Sequence, residues 1–404
     1  MKRRTIITIA AGLGISGCLD FQETQEDAAD DGSRESTEFD EQGDDERSDD
    51  EASDDSSERR IAGVELTELR DLGGPRDEPN PTFAFGDHFG ATASRRDQGT
   101  RMVLMDAEGE VVWESERIDA DYSIRTNFTG TSERYYVWFV RDERTYVRVF
   151  DPNTGAERWT REIVDRNERQ LDEIVATETG VFQLTTAEHS DQYDQNPKVT
   201  HLDNDGTERW AKTLQQEGYG RALLAYEDDL YVGISGKVLR LDAQSGDVVT
   251  TYGSIRPSHN GFTRQSNDMY VDTVEGFLRF DLASHEIVWN NEDARRLRGR
   301  PVVADDVVVV PSEAGWIDAY GTADGGHRWE TRLDQEVRSL TRTGRVIWPS
   351  GHDDMLYGFD IGSGDRVYER DDGQYGGVVA LNDRVSITDY DEATLYRVEV
   401  IEEG

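Results

Sequence analysis

The sequence predicts an all-β protein, an eight-bladed β-propeller that follows an export signal and a disordered acidic linker. Three observations predict it: a turn motif that recurs about every forty residues, strand-like alternation between its copies, and abrupt changes of composition near residues 18 and 60. Periods near forty residues, each with room for four short strands, are typical of propeller blades. Helical spacing of apolar residues does not compete with this pattern over the folded part.

The clearest copy of the motif is D-P-N-T-G-A-E-R-W, at residues 151–159. The residues before Asp151 alternate apolar and polar, as a half-buried strand does, and a second extended run resumes before Trp159. Between them, Asp151 can cap its own turn and Gly155 tolerates a positive φ. The motif therefore predicts a strand, a tight turn and a tryptophan-bearing strand.

Six further segments share this pattern, with an aspartate or its stand-in first and an aromatic residue or its stand-in last. They are Asp106, Gly109 and Trp113; Asp203, Gly206 and Trp210; Asp242, Gly246 and Thr250; Asp281, His285 and Trp289; Gly321, Gly325 and Trp329; and Asp360, Gly364 and Tyr368. Including Trp159, successive last positions lie 46, 51, 40, 39, 40 and 39 residues apart. Because one four-stranded sheet cannot bury both of its faces, seven copies in phase predict sheets stacked around an axis.

The end of the chain leaves one blade incomplete. Three strands are expected at 377–383, 384–389 and 394–401, and the run 61–69 is the best candidate for a fourth. Closing the ring with this N-terminal strand would remove exposed sheet edges and give eight blades. Seven blades, with the last segment as an extra flap, is the alternative.

The motif resembles the tryptophan-docking repeat, A-x-D-x-x-T-G-x-x-x-W, of the pyrroloquinoline-quinone-like β-propellers. Residues 151–159 match it closely, 242–246 and 360–364 match its first half, and the resemblance covers about residues 75–404. The resemblance implies that the repeat tryptophans are structural and wedge between adjacent blades.

Members of the resembled family differ in their cofactors. Its quinoprotein alcohol dehydrogenases hold their cofactor against a vicinal disulfide and a calcium ion. Its cofactor-free branch includes a membrane-tethered lipoprotein subunit of the outer-membrane protein assembly machinery. Because Cys18 is the only cysteine of this chain, a disulfide of that kind is impossible and no cofactor is expected.

The first eighteen residues predict export and lipid anchoring. Arg3 and Arg4 precede a short apolar run and resemble a twin-arginine signal. The segment I-S-G-C, ending at Cys18, resembles a lipobox, which implies cleavage before Cys18 and lipid attachment to its sulfur. The apolar run is too short for a dependable membrane span. An uncleaved anchor with an ordinary Cys18 thiol is the alternative.

Residues 19–60 contain 19 Asp or Glu and 4 Arg, with few apolar residues. Such a segment cannot bury enough surface to offset its ordering entropy, so a disordered tether is predicted. Residues 61–404 then form the predicted propeller domain.

The charge of the chain restricts its partners and its environment. It carries 85 acidic and 44 basic residues, a formal charge of -41. Nucleic-acid binding is excluded as a function class because phosphates would be repelled. The composition resembles that of proteins from extreme halophiles, and we expect the domain to loosen when molar salt no longer screens its charges.

Sequence motifs for chemistry are weak. The seven histidines are scattered without metal-ligand spacing, and the turn that begins at Asp203 lacks the later ligands of a calcium loop. No catalytic, cofactor or metal residue is assigned. The triplet that begins at Asn127 is a sequon, which predicts N-glycosylation of an exported protein.

These observations predict a non-catalytic lipoprotein on the extracellular face of the cell membrane, held there by lipid on Cys18. Its monomeric propeller would present loops to a protein or ligand at the cell surface. Two alternatives stay open: a propeller enzyme, such as a quinone-dependent dehydrogenase, a hydrolase or a lyase, and a structural component of the cell envelope.

Overall fold

A computed structural model places most of the propeller region. It describes residues 9–10, 61–71, 80–85, 87–95, 99–116, 127–131, 133–141, 144–165, 169–187, 196–215, 218–304, 306–351, 355–371, 375–389 and 393–402. The predicted linker, Arg3, Arg4 and Cys18 lie outside the described residues.

The described strands form eight separate antiparallel sheets, which confirms the prediction of eight blades. Two strands precede the first blade: β1 (Ile9–Ala10) and β2 (Ile61–Asp71). Blades 1 to 4 follow in chain order. Their strands are β3 (Asn80–Phe85), β4 (His88–Arg95), β5 (Gly99–Asp106) and β6 (Val111–Glu114) in blade 1; β7 (Asn127–Thr131), β8 (Arg134–Arg141), β9 (Arg144–Phe150) and β10 (Glu157–Asp165) in blade 2; β11 (Arg169–Thr177), β12 (Gly180–Ala187), β13 (Lys198–Asp203) and β14 (Glu208–Thr213) in blade 3; and β15 (Gly220–Tyr226), β16 (Asp229–Ile234), β17 (Lys237–Asp242) and β18 (Val248–Tyr252) in blade 4.

Blades 5 to 7 repeat the same order of four strands. Their strands are β19 (Pro257–Gln265), β20 (Asp268–Thr273), β21 (Gly276–Asp281) and β22 (Glu286–Asn291) in blade 5; β23 (Val302–Ala304), β24 (Val307–Pro311), β25 (Trp316–Gly321) and β26 (His327–Arg332) in blade 6; and β27 (Ser339–Thr343), β28 (Val346–Ser350), β29 (Leu356–Asp360) and β30 (Arg366–Arg370) in blade 7. A 3-10 turn (Glu313–Gly315) joins β24 to β25.

Blade 8 joins the two ends of the domain. It combines β31 (Tyr375–Leu381), β32 (Arg384–Asp389) and β33 (Ala393–Glu402) with β2 in the order β2-β33-β32-β31. The strand β2 pairs with β33 along almost its whole length, from Ile61 opposite Glu402 to Asp71 opposite Thr394. The short β1 pairs with the inner strand of blade 3, Ile9 opposite Ala176.

The first strand of each blade lines the axis of the ring, and β31 contacts β3 where the ring closes. The connections from an outer strand to the next inner strand share one end of the propeller with the turns between second and third strands. We call this the mouth end. The repeat turns occupy the opposite end, which we call the turn end.

Within the described part of the chain, the apolar core consists of eight clusters, one at each seam between neighbouring blades. At the seam of blades 1 and 2, for example, Trp113 packs against Tyr135 and Phe150, with ring centroids 5.5 and 5.2 Å away. Such seams form because each sheet has apolar residues on both faces and must cover both.

Five seams share one indole contact at the turn end. In each, a tryptophan Nε1–H on an outer strand donates to the backbone carbonyl that follows the turn aspartate, or its stand-in, of the next blade. The pairs are Trp113 with Pro152, Trp159 with Asn204, Trp210 with Ala243, Trp289 with Thr322 and Trp329 with Ile361, at 2.8–3.1 Å. The indole covers the turn glycine, and a Cβ built on Gly155 would lie 2.7 Å from the Trp113 ring.

The turn aspartate holds this carbonyl in place. The Oδ1 atom of Asp151 accepts hydrogen bonds from the backbone N–H groups of Asn153 and Thr154, at 3.0 and 3.1 Å. Asp242, Asp281 and Asp360 make the same pair of contacts with the second and third residues that follow them. The side chain thus replaces solvent for two backbone donors of a tight turn.

Among the described residues, three seams are closed without a repeat tryptophan. Between blades 8 and 1, Phe89 and Met105 pack in one apolar cluster with Leu381 and Leu395. Between blades 4 and 5, the Tyr231 hydroxyl lies 2.9 Å from Nδ1 of His285, and Tyr252 meets Phe280 with ring centroids 5.1 Å apart. Between blades 7 and 8, Trp348 and Tyr368 of blade 7 pack edge-on against each other and join an apolar cluster with Val378, Val385 and Val398 of blade 8.

Candidate binding site at the channel mouth

Charged side chains gather around the axis at the mouth end. They come from the start of the inner strand in blades 3 and 4 and from the segment before β23 in blade 6: Arg169, Asp172, Glu173, Arg221 and Arg300. The inner strands start here, so side chains at their first positions lie at the mouth end of the ring.

Two of these residues, Asp172 and Arg221, lie where the strand pairing of an inner strand is irregular. The register of β11 with β12 shifts between Leu171 and Glu173, so Asp172 is the extra residue of a bulge. The same shift in blade 4, between Gly220 and Ala222, makes Arg221 the extra residue. A bulge re-aims the side chain of its extra residue.

Asp172 lies in a tight polar pocket between blades 3 and 4. The Thr186 hydroxyl donates to its Oδ2 atom, and the same Thr186 oxygen accepts the backbone N–H of Gly220 at 2.9 Å. A Cβ on Gly220 would lie 2.6 Å from Oδ2 of Asp172. The absence of a side chain at this position therefore makes room for the carboxylate.

An ion pair crosses the axis between blades that are not neighbours. Nη2 of Arg300, from blade 6, lies 3.1 Å from Oε2 of Glu173, in blade 3. The Arg300 guanidinium also passes the backbone of blade 5, where a Cβ on Gly261 would lie 3.0 Å from Nη2. The pair thus spans the channel at its mouth.

Burial dominates the electrostatics of the two acids. Burial raises the pKa of Asp172 to about 7, although the Thr186 hydrogen bond and the charges of Arg169 and Arg221 lower it. Burial likewise raises the pKa of Glu173 to about 7, against the charge and hydrogen bond of Arg300. Both carboxyl groups can therefore gain or lose a proton near neutral pH.

Burial also lowers the pKa of the Arg169 and Arg221 guanidinium groups, and Asp172 partly offsets the effect in both. Arg221 lies over the ring of Tyr219, 5.5 Å from its centroid, and Tyr219 is itself 47% exposed. The mouth thus offers guanidinium groups held partly out of water beside an exposed aromatic ring. Such groups recognise carboxylates and other oxyanions.

A second charged cluster lies in the outer half of blade 6. Asp318, His327 and Glu330 can bring three ligand atoms within 4.8 Å of one another. The Arg295 guanidinium bonds both carboxylates, Glu330 at 2.8 Å, and stacks on Trp316 at 4.1 Å. Because the Arg295 guanidinium already pairs with both acids, we interpret the cluster as an ion-pair network.

A polar cleft of about 410 Å³ separates blades 2 and 3 at the mouth end. Arg169 and Lys198 line it from blade 3, and Glu162 lines it from the end of β10. Arg169 is held there by the carbonyl oxygens of Thr185 and Asn196, at 3.0 and 2.6 Å. The cleft therefore continues the charged surface of the mouth outward.

The residues singled out by the sequence lie elsewhere. The turn at Asp203 is closed by its own backbone contacts and by Arg209, 2.7 Å from Oδ2, rather than arranged as a set of oxygen ligands. Asn127 begins β7, and Thr129 of the same triplet is fully buried; glycosylation there stays a prediction. Sequence reasoning missed Asp172, Glu173, Arg221 and Arg300, which share no motif.

The arrangement of the mouth does not fit the quinone cofactor of the dehydrogenase branch. The Glu173–Arg300 pair spans the channel, and the chain has no cysteine besides Cys18 to form a vicinal disulfide. The three-ligand cluster that includes Asp318 lies at the outer part of one blade and already binds Arg295. We therefore derive no redox step for this site.

The fold and its repeat define an eight-bladed β-propeller of the pyrroloquinoline-quinone-like class. Residues 143–275 and 274–397 match the family described as outer membrane protein assembly factor BamB, so the chain belongs to this family. BamB of Shewanella oneidensis is 28% identical over 106 residues, which span 26% of this chain and 25% of that protein. The chain thus matches about a quarter of the length of this curated relative.

Solved structures share the architecture at low identity. BamB from Moraxella catarrhalis superposes with a TM-score of 0.56 at 16% identity, covering 82% of this chain and 100% of that one. A europium-containing methanol dehydrogenase gives a TM-score of 0.57 at 11% identity, covering 84% and 93% of the two chains. At such identities the similarity shows the fold, which a methanol dehydrogenase and an assembly factor have in common.

Proposed function

We propose that this protein is a lipid-anchored propeller on the extracellular face of the cell membrane that binds a protein partner through its mouth end and rim. The observation that carries the proposal is the ion pair across the axis, Glu173 with Arg300, 3.1 Å apart. It bridges the channel mouth with charged side chains, of which Arg300 is 25% exposed, so that the mouth end, the loops and the blade edges are the surfaces open to a partner. Membership in the assembly-factor family supports a binding role.

Exposed apolar residues on the outer strands of blades 4 and 5, the surface that we call the rim, also support a protein partner. The outer strands of blades 4 and 5 expose Val248, Val249, Ile287 and Val288, each at 41–52%. The equivalent positions of blades 2 and 3 hold charged pairs, such as Glu157 and Arg158. Apolar side chains grouped on an otherwise acidic surface are typical of protein contacts.

The anchoring part of the proposal rests on the sequence. The signal ending at Cys18 and the acidic linker would place the propeller outside the membrane at the end of a flexible tether. Cleavage before Cys18 would also remove β1 from blade 3. Among the described residues, no helix is long and apolar enough to cross a membrane.

Crosslinking in intact cells at native salt tests the binding role. We expect a discrete protein, identified by mass spectrometry, to be attached to the wild-type chain and lost with Val249→Asp and Val288→Asp together. A folded chain that yields only monomer would contradict the proposal. Cell fractionation tests the anchor separately: Cys18→Ser should release the protein into the soluble fraction, and unchanged membrane association would contradict lipid attachment.

A further inference from the structure

Three guanidinium groups from three blades surround the channel mouth of a chain whose formal charge is -41. Arg169 and Arg221 both act on Asp172, and Arg300 pairs with Glu173. We propose that this mouth is a carboxylate-binding site, in which a carboxylate of the partner protein takes the place of Glu173 on Arg300. The inference rests on the proposed function and names the chemistry by which the mouth recognises the partner.

Glu173 already shows the contact that such a ligand would make. Its carboxylate lies 3.1 Å from Nη2 of Arg300. The two partners differ in access, because the side chain of Glu173 is 4% exposed and that of Arg300 is 25% exposed. A carboxylate arriving from solvent therefore reaches the arginine without first reaching Glu173. Arginine suits this exchange because its planar fork pairs with carboxylates in a fixed geometry.

Two glycines let the backbone approach the charged groups closely. Gly261, at φ +77°, would place a Cβ 3.0 Å from Nη2 of Arg300, and Gly220 would place one 2.6 Å from Asp172. Side chains at these two positions would block the approach to the charged groups. Tyr219, exposed beside Arg221, provides an apolar surface for the residues next to the ligand carboxylate.

Displacement of Glu173 from Arg300 should change the protonation of the Glu173 carboxylate. The charged groups that act on Glu173 are Arg300, from blade 6, and Asp172, on its own strand; Arg169 and Arg221 act on Asp172 in turn. Once the ligand occupies Arg300, the buried Glu173 carboxylate loses its counter-charge, and desolvation favours its neutral form. Above about pH 7, where Glu173 is ionised before binding, binding should therefore take up as much as one proton from solvent, and affinity should rise as pH falls toward 7.

Calorimetric titration of the full-length protein in molar potassium chloride tests this inference. The probes are N-acetyl-trialanine with a free C-terminal carboxylate, the same peptide as its C-terminal amide, and inorganic phosphate. We expect the acid to bind and the amide not to bind. From pH 8 to about 7 the affinity for the acid should rise by up to about tenfold, the limit for uptake of one proton, and it should level off below pH 7.

Variants separate a binding site from a structural ion pair. Glu173→Gln should bind the acid at least tenfold more tightly than the wild type at pH 8, with the pH dependence reduced. Arg300→Gln should bind at least tenfold more weakly. The matched control is Arg256→Gln. Arg256 lies at the same end of the propeller but pairs with Glu275 away from the axis, at 2.6 Å, and its substitution removes the same charge. It should behave as the wild type.

Circular dichroism and the thermal midpoint establish that each variant is folded. If Arg300→Gln does not fold, Glu173→Gln combined with Arg300→Gln removes the unpaired buried acid and should still fail to bind. Equal binding of acid and amide, no binding by wild type and Glu173→Gln at pH 6, or equal losses in Arg256→Gln and Arg300→Gln would overturn the inference. Tighter binding of phosphate than of the peptide acid would overturn the assignment to a partner carboxylate.

Crosslinking distinguishes the two proposals from each other. If Arg300→Gln cells keep the crosslinked partner while the peptide no longer binds, the partner binds elsewhere and only the inference about the mouth fails. If wild-type cells yield no crosslinked partner, the proposed function fails regardless of the titration.

Discussion

The two ends of the propeller are built on different principles. At the turn end, five tryptophans donate to the backbone carbonyl at the same position of the next blade. Their donor–acceptor distances all lie between 2.8 and 3.1 Å. At the mouth end, the inner strands of blades 3 and 4 are bulged, and one ion pair, Glu173 with Arg300, joins blades 3 and 6. The comparison teaches that the repeated motif specifies how neighbouring blades join. The irregular starts of the inner strands, at the other end, place the charged side chains of the candidate binding site.

Removal of a seam indole should have the largest effect. Trp289→Ala is expected to lower the free energy of unfolding by about 3–5 kcal/mol, because it leaves a cavity between blades 5 and 6. Thr250→Ala, at the equivalent position of blade 4, should cost about 0.5 kcal/mol or less. Denaturant unfolding in molar salt measures both. Equal costs would show that the indoles do not distinguish the seams.

The mouth should make stability depend on pH. The folded-state pKa of Glu173 is about 7 and its ordinary value is 4.5, so the folded state holds the proton more tightly. The associated stability is fully present below pH 4.5 and is lost as pH rises to about 7. The loss is on the order of 3 kcal/mol, at about 1.4 kcal/mol per pKa unit.

Glu173→Gln should flatten this part of the profile, and Asp172→Asn should flatten it between pH 3.8 and about 7, since burial raises the pKa of Asp172 too. Thermal midpoints between pH 4.5 and 8 provide the measurement. A variant profile parallel to that of the wild type would contradict the role of the buried acid.

A glycine of the turn end tests how closely the indole packs. Gly325, at φ +65°, would place a Cβ 2.7 Å from the Trp289 ring, so Gly325→Ala should cost about 2 kcal/mol from the backbone conformation and the displaced ring together. Gly236 is the control, since its φ is +90° and no atom lies within 4 Å of its Cβ position. Gly236→Ala should cost about 1 kcal/mol. Equal unfolding midpoints of the two variants would rule out the steric part.

An exposed ion pair at the turn end should have the smallest effect. Nζ of Lys212 lies 2.9 Å from Asp247 across the seam of blades 3 and 4, and its hydrogen bond is the main cause of the lowered pKa of Asp247. Lys212→Gln should raise that pKa, as measured by NMR titration. The unfolding midpoint should not change in molar salt, because solvent and ions screen exposed charges.

Much of the turn end could be predicted before the structure. The spacing of Asp151, Gly155 and Trp159 and its six relatives predicted the blades, and the three unpaired C-terminal strands predicted a fourth partner. The seam of blades 4 and 5 could be predicted only in part. Thr250 showed that the indole was missing, but the Tyr231–His285 contact joins residues 54 positions apart with no motif between them.

The sequence alone determined the repeating frame, because a turn, its glycine and its indole recur at fixed separations and interact with the adjacent copy. Only the tertiary structure determined which charged residues meet at the mouth. Arg300 and Glu173 are 127 positions apart and meet because the ring brings blades 6 and 3 to a shared axis. A local pattern cannot encode such a contact, since it depends on how many blades close the ring and where each inner strand is bulged.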